Sequence, residues 1–304
     1  MKRKILIVDD EPDILEVLSD YLEERGYSVL TAPDGQIALE LMEVENFDLI
    51  ISDINMPKMK GFDLLQKARD QFPNTKRILI TAYALNEYMQ MAKDYDIGNI
   101  ITKTSPFNFE EVGLVVDRLI SEEVFGLDKY LKKESQIQQK WVRDSDEIDS
   151  VIEEVNVFLK GVDKKTNYNR ILRELVVNAF YYGARNEKGD RKAEWQIDVK
   201  LSPEQFILVS YGYDSEKVGA AVSDQCGHLH KKDVLFWLER NITRNNEGLS
   251  KGLFDEHGKG LFIAREMIDR FIVNTKTNVK TEIVVLNYLN SFYKGYKPLY
   301  INEF

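Results

Sequence analysis

At 304 residues, with 43% hydrophobic and 30% charged residues, the chain is too long for one core of usual size and has the composition of folded globular domains. Its net charge of −10 argues against broad contact with nucleic acid or anionic membrane, and no run of about 18 apolar residues offers a membrane-spanning helix. A single cysteine, Cys226, permits no intrachain disulfide, which fits a reducing cytoplasm, and the basic start MKRKILIVDDEPD turns acidic too soon for a signal peptide.

The first third of the chain alternates short apolar runs with amphipathic stretches. Strands are expected near 4–8, 28–32, 48–52, 77–81 and 99–103. A last helix is expected from Asn108 to about Glu122, with Val112, Val115, Val116 and Leu119 on one face. Short apolar strands separated by helices predict a five-stranded, parallel, doubly wound α/β sheet. In such sheets the ligand crevice lies beyond the carboxyl ends of the strands. Asp9, Asp10, Asp53, Thr81 and Lys103 all stand at those ends. Three carboxylates, a hydroxyl and an ammonium at one mouth suit Mg²⁺-dependent phosphoryl transfer onto a carboxylate. Mg²⁺ prefers oxygen ligands, and it relieves the repulsion between the adjacent Asp9 and Asp10. Asp53 can act as a nucleophile, Lys103 can neutralise a phosphoryl oxygen, and Thr81 can donate a hydrogen bond to it.

Residues 123–136 read as a linker carrying a short apolar patch of Phe125, Leu127, Tyr130 and Leu131. Two readings stay open for that patch: a solvated linker folded on the nearest surface, or a clip docking one domain on the other. From 137 to 304 a second domain is expected. IQQKWVRD alternates like a half-buried strand. Asp144, Ser145 and Asp146 offer N-caps for a helix through Leu159. A second helix over about 166–184 turns Leu172, Leu175, Val176, Ala179 and Phe180 inward. WQIDVKL, QFILVSY and KVGAAVS follow as an antiparallel meander. Then come a polar stretch with helix over 230–257, a glycine-led helix GKGLFIAREMIDRF and a last strand VKTEIVVLNYL. Helices followed by an antiparallel sheet predict a two-layer α+β domain.

Four segments of that domain carry chemistry. Glu174 and Asn178 lie four apart on one helix face, where a carboxylate can orient a hydroxyl or water and an amide oxygen can ligate Mg²⁺. Asp224 ends a strand and can accept from an exocyclic amine. Gly258 and Gly260 open a helix whose free N–H groups can receive phosphate. Thr281 lies in the last strand, within reach of the same pocket. Cys226, His228, His230 and His257 lack the spacing of a tetrahedral zinc site.

Residues 1 to about 122 resemble a response-regulator receiver domain, of flavodoxin-like fold. IVDDEPD, SDINMPKMKGFDLL, ITA and ITK match its motifs in order and spacing. The resemblance implies that Asp53 is the phosphoacceptor and that Asp9, Asp10 and Asp53 hold Mg²⁺ with the backbone carbonyl of Asn55. Thr81 and Lys103 would read the phosphate. Two departures stand out. Two residues separate Lys103 from Pro106, where relatives have proline directly after the lysine. Ile100 occupies the place of a common aromatic switch residue.

Residues 137–290 resemble the GHKL ATP-binding domain, closest to its anti-sigma-factor-kinase branch. The resemblance implies that Glu174 is base-like, Asn178 binds Mg²⁺, Asp224 reads adenine, and Gly258 and Gly260 contact phosphates. The family's Asp-x-Gly-x-Gly stands here as Asp224-Gln225-Cys226-Gly227-His228, and Tyr182 replaces a common histidine or lysine. The implied protein is a cytoplasmic two-component response regulator. A cognate sensor histidine kinase would phosphorylate Asp53, through phosphotransfer that the receiver itself catalyses. This would regulate an output domain that binds ATP with Mg²⁺ and acts on or sequesters a regulatory protein partner, as a serine-kinase-like enzyme or ATPase. The alternative is non-enzymatic, with a degenerate GHKL domain as a protein-binding or dimerisation module; a homodimer stays open. All three histidines follow Asn178, which disfavours autophosphorylation on the chain, and no basic recognition helix points to DNA.

Overall fold

Apolar runs buried on both faces become the centre of a parallel sheet. The computed structural model describes residues 2–186, 199–245, 248–252, 258–290 and 295–304, and its contacts divide into two units. In the first unit β1 (Lys4–Val8), β2 (Ser28–Ala32), β3 (Leu49–Asp53), β4 (Lys76–Thr81) and β5 (Asn99–Thr102) are parallel in the order β2-β1-β3-β4-β5. Ile5 to Val8 and Leu49 to Ile51 are at most 1% exposed, because helices cover both faces. Those helices are α1 (Pro12–Glu24), α2 (Gly35–Val44), α3 (Gly61–Gln71), α4 (Leu85–Asp94) and α5 (Phe109–Ser121). Local chemistry fixes their starts. Pro12 opens α1, the Asp34 carboxylate accepts from the N–H groups of Gln36 and Ile37 at α2, and Asn108 accepts from Glu111 N–H at α5. Strand order reverses between β1 and β3, so the switch point falls where Asp9 and Asp53 leave the sheet.

The second unit is built on a different plan. Its strands are β6 (Gln136–Val142), β7 (Ile207–Tyr213), β8 (Lys217–Asp224), β9 (Arg270–Lys276) and β10 (Lys280–Tyr288). They pair antiparallel in the order β6-β7-β8-β10-β9, and β11 (Leu299–Glu303) joins β9 in parallel. The helices are α6 (Glu147–Val162), α7 (Tyr168–Asn178), α8 (Lys231–Ile242) and α9 (Lys259–Glu266); α7 runs on as a π-helical turn over 179–184. The Asp144 carboxylate accepts from the N–H groups of Asp146 and Glu147 at the start of α6, as a capping residue should.

Side chains alternate along β8, β9 and β10. Asp224 and its partner Thr281 face the helices, since Asp224 lies against Gly183 of the π-helical turn. Glu282 and its partner Asn274 therefore face the other way. There they meet residues 124–132. Gly126 N–H donates to Glu282 Oε1 at 2.8 Å, and Asn274 Nδ2 donates to the Val124 carbonyl and the Tyr130 hydroxyl, each at 2.8 Å. Lys217 Nζ donates to the Tyr130 carbonyl at 2.7 Å, and Lys132 N–H to Asp214 Oδ2 at 2.7 Å. Val124, Leu127, Tyr130 and Leu131 are buried. The stretch expected as a linker is thus a strap forming a layer of the second unit, because its backbone polar groups find partners on that sheet face.

Other expectations change as well. The helix expected over 258–271 ends at Glu266, and β9 begins at Arg270. Phe271, Ile272 and Val273 suit a strand, and pairing with β10 outweighs a helical pattern over four residues. The strand β11 was not anticipated. Nor was the return of residues 295–299 to the first unit, where the Thr102 hydroxyl donates to the Tyr296 carbonyl at 2.6 Å. Asn241, in the stretch expected to be polar with helix, is buried in α8 and donates to the Trp237 carbonyl. Most of WQIDVKL, together with Trp195 and His257, lies outside the described residues; Lys200 bridges to Asp144.

Candidate functional site

Four of the five strand-end residues converge in the first unit. Asp9 follows β1, Asp53 ends β3, Thr81 ends β4 and Lys103 follows β5. Lys103 Nζ lies 3.0 Å from Asp9 Oδ2, 2.9 Å from Asp53 Oδ1 and 3.0 Å from Glu11 Oε1. The Lys103 backbone N–H donates to the Thr81 carbonyl at 2.6 Å, which ties the ends of β4 and β5. Asp9 and Thr81 are each 1% exposed and Asp53 is 8% exposed. Asp10 is exposed and outside the Lys103 bridge.

The electrostatics follow from burial. Desolvation raises the Asp9 carboxyl above the ordinary range, although Glu11 N–H and the Lys103 ammonium oppose it. Burial pulls the Lys103 ammonium down, but the hydrogen bond and charge of Asp53, followed by those of Asp9, outweigh it and hold the group charged. Two desolvated carboxylates are thus compensated by one ammonium. Among the described residues no three histidine, cysteine or carboxylate side chains stand as a ready metal cluster. Asp9 and Asp53 share a cation position, occupied by the Lys103 ammonium. Buried carboxylate oxygens of Asp9 and Asp53 and an excess of negative charge suit a hard divalent cation, so the residues present fit one.

Backbone geometry frames Asp53. Asn55 N–H donates to Asp53 Oδ2 at 2.6 Å, and the Ser52 hydroxyl donates to the Asp53 carbonyl at 2.9 Å. A Cβ at Gly61 would sit 2.0 Å from the Asp53 carbonyl oxygen, so only glycine lets α3 start this close. The Asn55 carboxamide donates through Nδ2 to the Tyr88 hydroxyl at 2.9 Å. The Tyr83 and Tyr88 rings meet edge to face at 6.2 Å, and Tyr83 N–H donates to the Thr81 hydroxyl at 3.1 Å. Gly61, Tyr83 and Tyr88 escaped the sequence reading. A glycine eight residues after Asp53, and tyrosines two and seven residues after Thr81, were the only signals.

In the second unit the expected residues meet along α7 and its π-helical extension. Glu174 lies so near the start of α9 that a Cβ on Gly260 would be 2.3 Å from its Oε2. Asn178 ends α7, and Asp224 reaches Gly183 of the following turn, where a Cβ would be 2.6 Å from Asp224 Oδ2. Thr281 pairs with Asp224 across β10 and β8. Gly258 adopts a left-handed conformation, with φ 79°, against the Trp237 ring. Asp224 Oδ1 accepts from the Cys226 and Gly227 N–H groups at 2.9 and 3.0 Å. Burial raises the Asp224 carboxyl above the ordinary range. His228 Nδ1 lies 2.8 Å from the Gly183 carbonyl, and Cys226 Sγ lies 3.9 Å from that of Ala184. The loop after β8 is thus fastened to the turn that follows Asn178.

Comparison with known proteins gives a partial account of the chain. The response regulator receiver domain family matches residues 5–113. The probable chemotaxis protein CheY of Rhizobium etli is 37% identical over 129 residues, covering 41% of this chain and 94% of that protein. The alkaline phosphatase synthesis transcriptional regulatory protein PhoP of Bacillus subtilis is 35% identical over 120 residues, covering 40% of this chain and 49% of that protein. The chain thus spans about half the length of PhoP. A CheY-like receiver domain from Methanospirillum hungatei, known as a crystal structure, is 32% identical with a TM-score of 0.38, covering 40% of this chain and 97% of that one. No helix among the described residues is long and apolar enough to cross a membrane.

Proposed function

Because the chain belongs to the response regulator receiver family through residues 5–113, we propose that Asp53 accepts a phosphoryl group and that its phosphorylation regulates the second unit. Receiver domains of this family bind Mg²⁺ for phosphorylation and interact with sensor histidine kinases. The observation that carries the reading is the Lys103 ammonium held between Asp53 and Asp9 at the switch point of a parallel sheet.

In this reading an Asp53 carboxylate oxygen attacks phosphorus, the bond from phosphorus to the donor nitrogen breaks, and the imidazole leaves with its electron pair. Asn55 N–H orients the nucleophile, and the buried crevice keeps the acyl phosphate from bulk water. Lys103 neutralises a phosphoryl oxygen, and the Thr81 hydroxyl donates to another. Mg²⁺, held by Asp9, Asp10 and Asp53 with the Asn55 carbonyl, would offset the charge of the transferring group. Uptake of label from radiolabelled acetyl phosphate tests the assignment: wild type should take label and Asp53→Asn none. Equal labelling of the two would overturn it.

For the second unit we infer a GHKL-type domain, in a cytoplasmic protein, that binds ATP and acts on or sequesters a protein partner. Support comes from Glu174 at the head of α9, Asn178 one helical turn further, and Asp224 buried beside Thr281. A second reading, in which this unit is a non-enzymatic binding or dimerisation module, is favoured by a different observation. Asp224 Oδ1 already serves two N–H groups of its own loop, and His228 leans on Gly183. Titration with a fluorescent ATP analogue separates the two. Mg²⁺-dependent binding that Asn178→Ala removes supports the first, and no affinity up to millimolar supports the second.

A further inference from the structure

The sheet face beneath the strap of the second unit is polar where a core would be apolar. Glu282 of β10, Asn274 of β9 and Asn302 of β11 are register partners in one row across adjacent strands, and they are 3%, 0% and 8% exposed. Such side chains are seldom buried unless something pairs with them. Here the partner is main chain. Glu282 accepts from Gly126 N–H, and Asn274 donates to the Val124 carbonyl. Lys217 donates to the Tyr130 carbonyl, and Asp214 accepts from Lys132 N–H. Two donors and two acceptors thus read a polypeptide backbone, in contacts that another segment of the same shape can make. Buried Val124, Leu127 and Tyr130 add selectivity. So does Gly126, whose φ of 106° favours glycine and where a Cβ would lie 2.4 Å from Asp128 Oδ1. The strap does not fill the row's hydrogen-bonding capacity. Asn302 Nδ2 donates to Asn274 Oδ1 at 2.8 Å, while Asn302 Oδ1 is buried with no donor. A segment that brings one further donor to this acceptor gains what the strap forgoes.

We propose that this face is a binding site for a short segment of a partner protein, and that the strap occupies it in cis. The partner segment carries a glycine between apolar residues, a tyrosine four residues further on, and a hydrogen-bond donor for Asn302. The strap is a removable occupant. It pairs with no strand, and its own regular structure is one 3₁₀ turn, Leu127–Lys129. It can therefore leave the face without unzipping the sheet. An incoming segment remakes in trans the bonds that departure breaks. The exchange is then decided by the extra donor and by the high local concentration of a strap tethered in the same chain. The inference deepens the reading above, resting on it only for the existence of a protein partner; it needs neither phosphate on Asp53 nor nucleotide.

The test uses the full chain and a fluorescein-labelled peptide with the sequence of residues 123–133, titrated by anisotropy. Wild type is compared with a strap-released variant, Leu127→Asp/Tyr130→Ser, and with that variant carrying Asn274→Ala. A carboxylate in place of buried Leu127 expels the strap. The released variant should bind the peptide at least about tenfold more tightly than wild type, since no cis segment competes. Asn274→Ala should then weaken binding about tenfold, because the bonds to the Val124 carbonyl and the Tyr130 hydroxyl are lost. Equal affinity of wild type and released variant, or binding that Asn274→Ala leaves unchanged, would overturn the proposal. If the released variant does not melt cooperatively, Tyr130→Phe replaces it. That change removes only the hydroxyl held by Asn274 and the Val124 carbonyl, and a gain of about threefold is expected. No gain would count as failure. A wild-type dimer that excess peptide dissociates would give the face to the strap of a second copy and overturn the claim of a separate partner. Label uptake on Asp53 and nucleotide titration are followed on the same proteins. Loss of either would remove the earlier assignments and leave this face standing, and absence of peptide binding alone would do the reverse.

Discussion

Thr281 and Glu282 are neighbours in β10 and serve opposite faces of one sheet: Thr281 stands across from Asp224, while Glu282 takes the Gly126 N–H at 2.8 Å. One strand thus lines the candidate nucleotide site and anchors the strap that follows the receiver helix α5.

Glu282 makes the strap sensitive to pH. Burial raises its carboxyl above the ordinary range, against the Gly126 N–H and the nearby Lys280 charge, with Asp128 adding to the rise. A raised value means that the folded state binds the proton more tightly than the unfolded chain. Its contribution is complete below the unfolded value of 4.5 and is lost as pH rises through the folded value. Glu282→Gln keeps an oxygen acceptor for Gly126 and removes the buried charge. Thermal melts should place this variant a few degrees above wild type at neutral pH, with the gap closing toward acid. Identical melts at neutral pH would refute the cost assigned to this carboxylate.

Lys103→Met would leave Asp9 and Asp53 without their shared ammonium, whose side chain is 12% exposed. Removing one partner of a buried ion pair costs about 3 kcal/mol. Denaturant unfolding at neutral pH without Mg²⁺ should show a loss of that order, and adding Mg²⁺ should recover part of it. Label uptake on Asp53 should vanish. Unchanged stability would mean that the two carboxylates are solvated well enough to need no counter-charge.

Gly61→Ala would drive a methyl group to within 2.0 Å of the Asp53 carbonyl oxygen. Backbone cannot yield as a flexible side chain does, so the loop carrying Asn55 must shift. Stability should fall by about 1–3 kcal/mol, as for overpacked sites, and label uptake by more than tenfold. Wild-type uptake in this variant would show that the close approach of α3 is dispensable.

Gly183→Ala probes the second unit by itself. The new methyl would stand 2.6 Å from Asp224 Oδ2 and 2.8 Å from its Cγ, and so displace the carboxylate. If the ATP reading holds, affinity for a fluorescent adenine nucleotide should fall at least tenfold while label on Asp53 persists. Titration of both proteins decides it, and equal affinities would place the nucleotide elsewhere.

The strand-end cluster was legible because a parallel strand buried on both faces is written as an unbroken apolar run, and the residue ending the run is placed by the fold. Asp9, Asp53, Thr81 and Lys103 follow that rule. Asp10 obeyed the motif but is exposed, since two residues past the end of β1 the chain is free to turn. The helix caps at Asp34, Asn108 and Asp144 were equally local, each a side-chain oxygen and an N–H two or three residues on.

The sequence by itself thus determined the receiver plan and the identity of its strand-end residues, because those depend on local hydrophobic period and on motif spacing. Tertiary structure alone decided which face of β10 the strap covers, that β9 is a strand rather than the end of a helix, and that Tyr88 reaches Asn55. Gly126 and Glu282 are 156 residues apart in the chain and Asn55 and Tyr88 are 33 apart. No local pattern encodes such meetings. They are set when distant backbone donors and buried acceptors must satisfy one another in a packed interior, where an unpaired polar group costs about 1–3 kcal/mol.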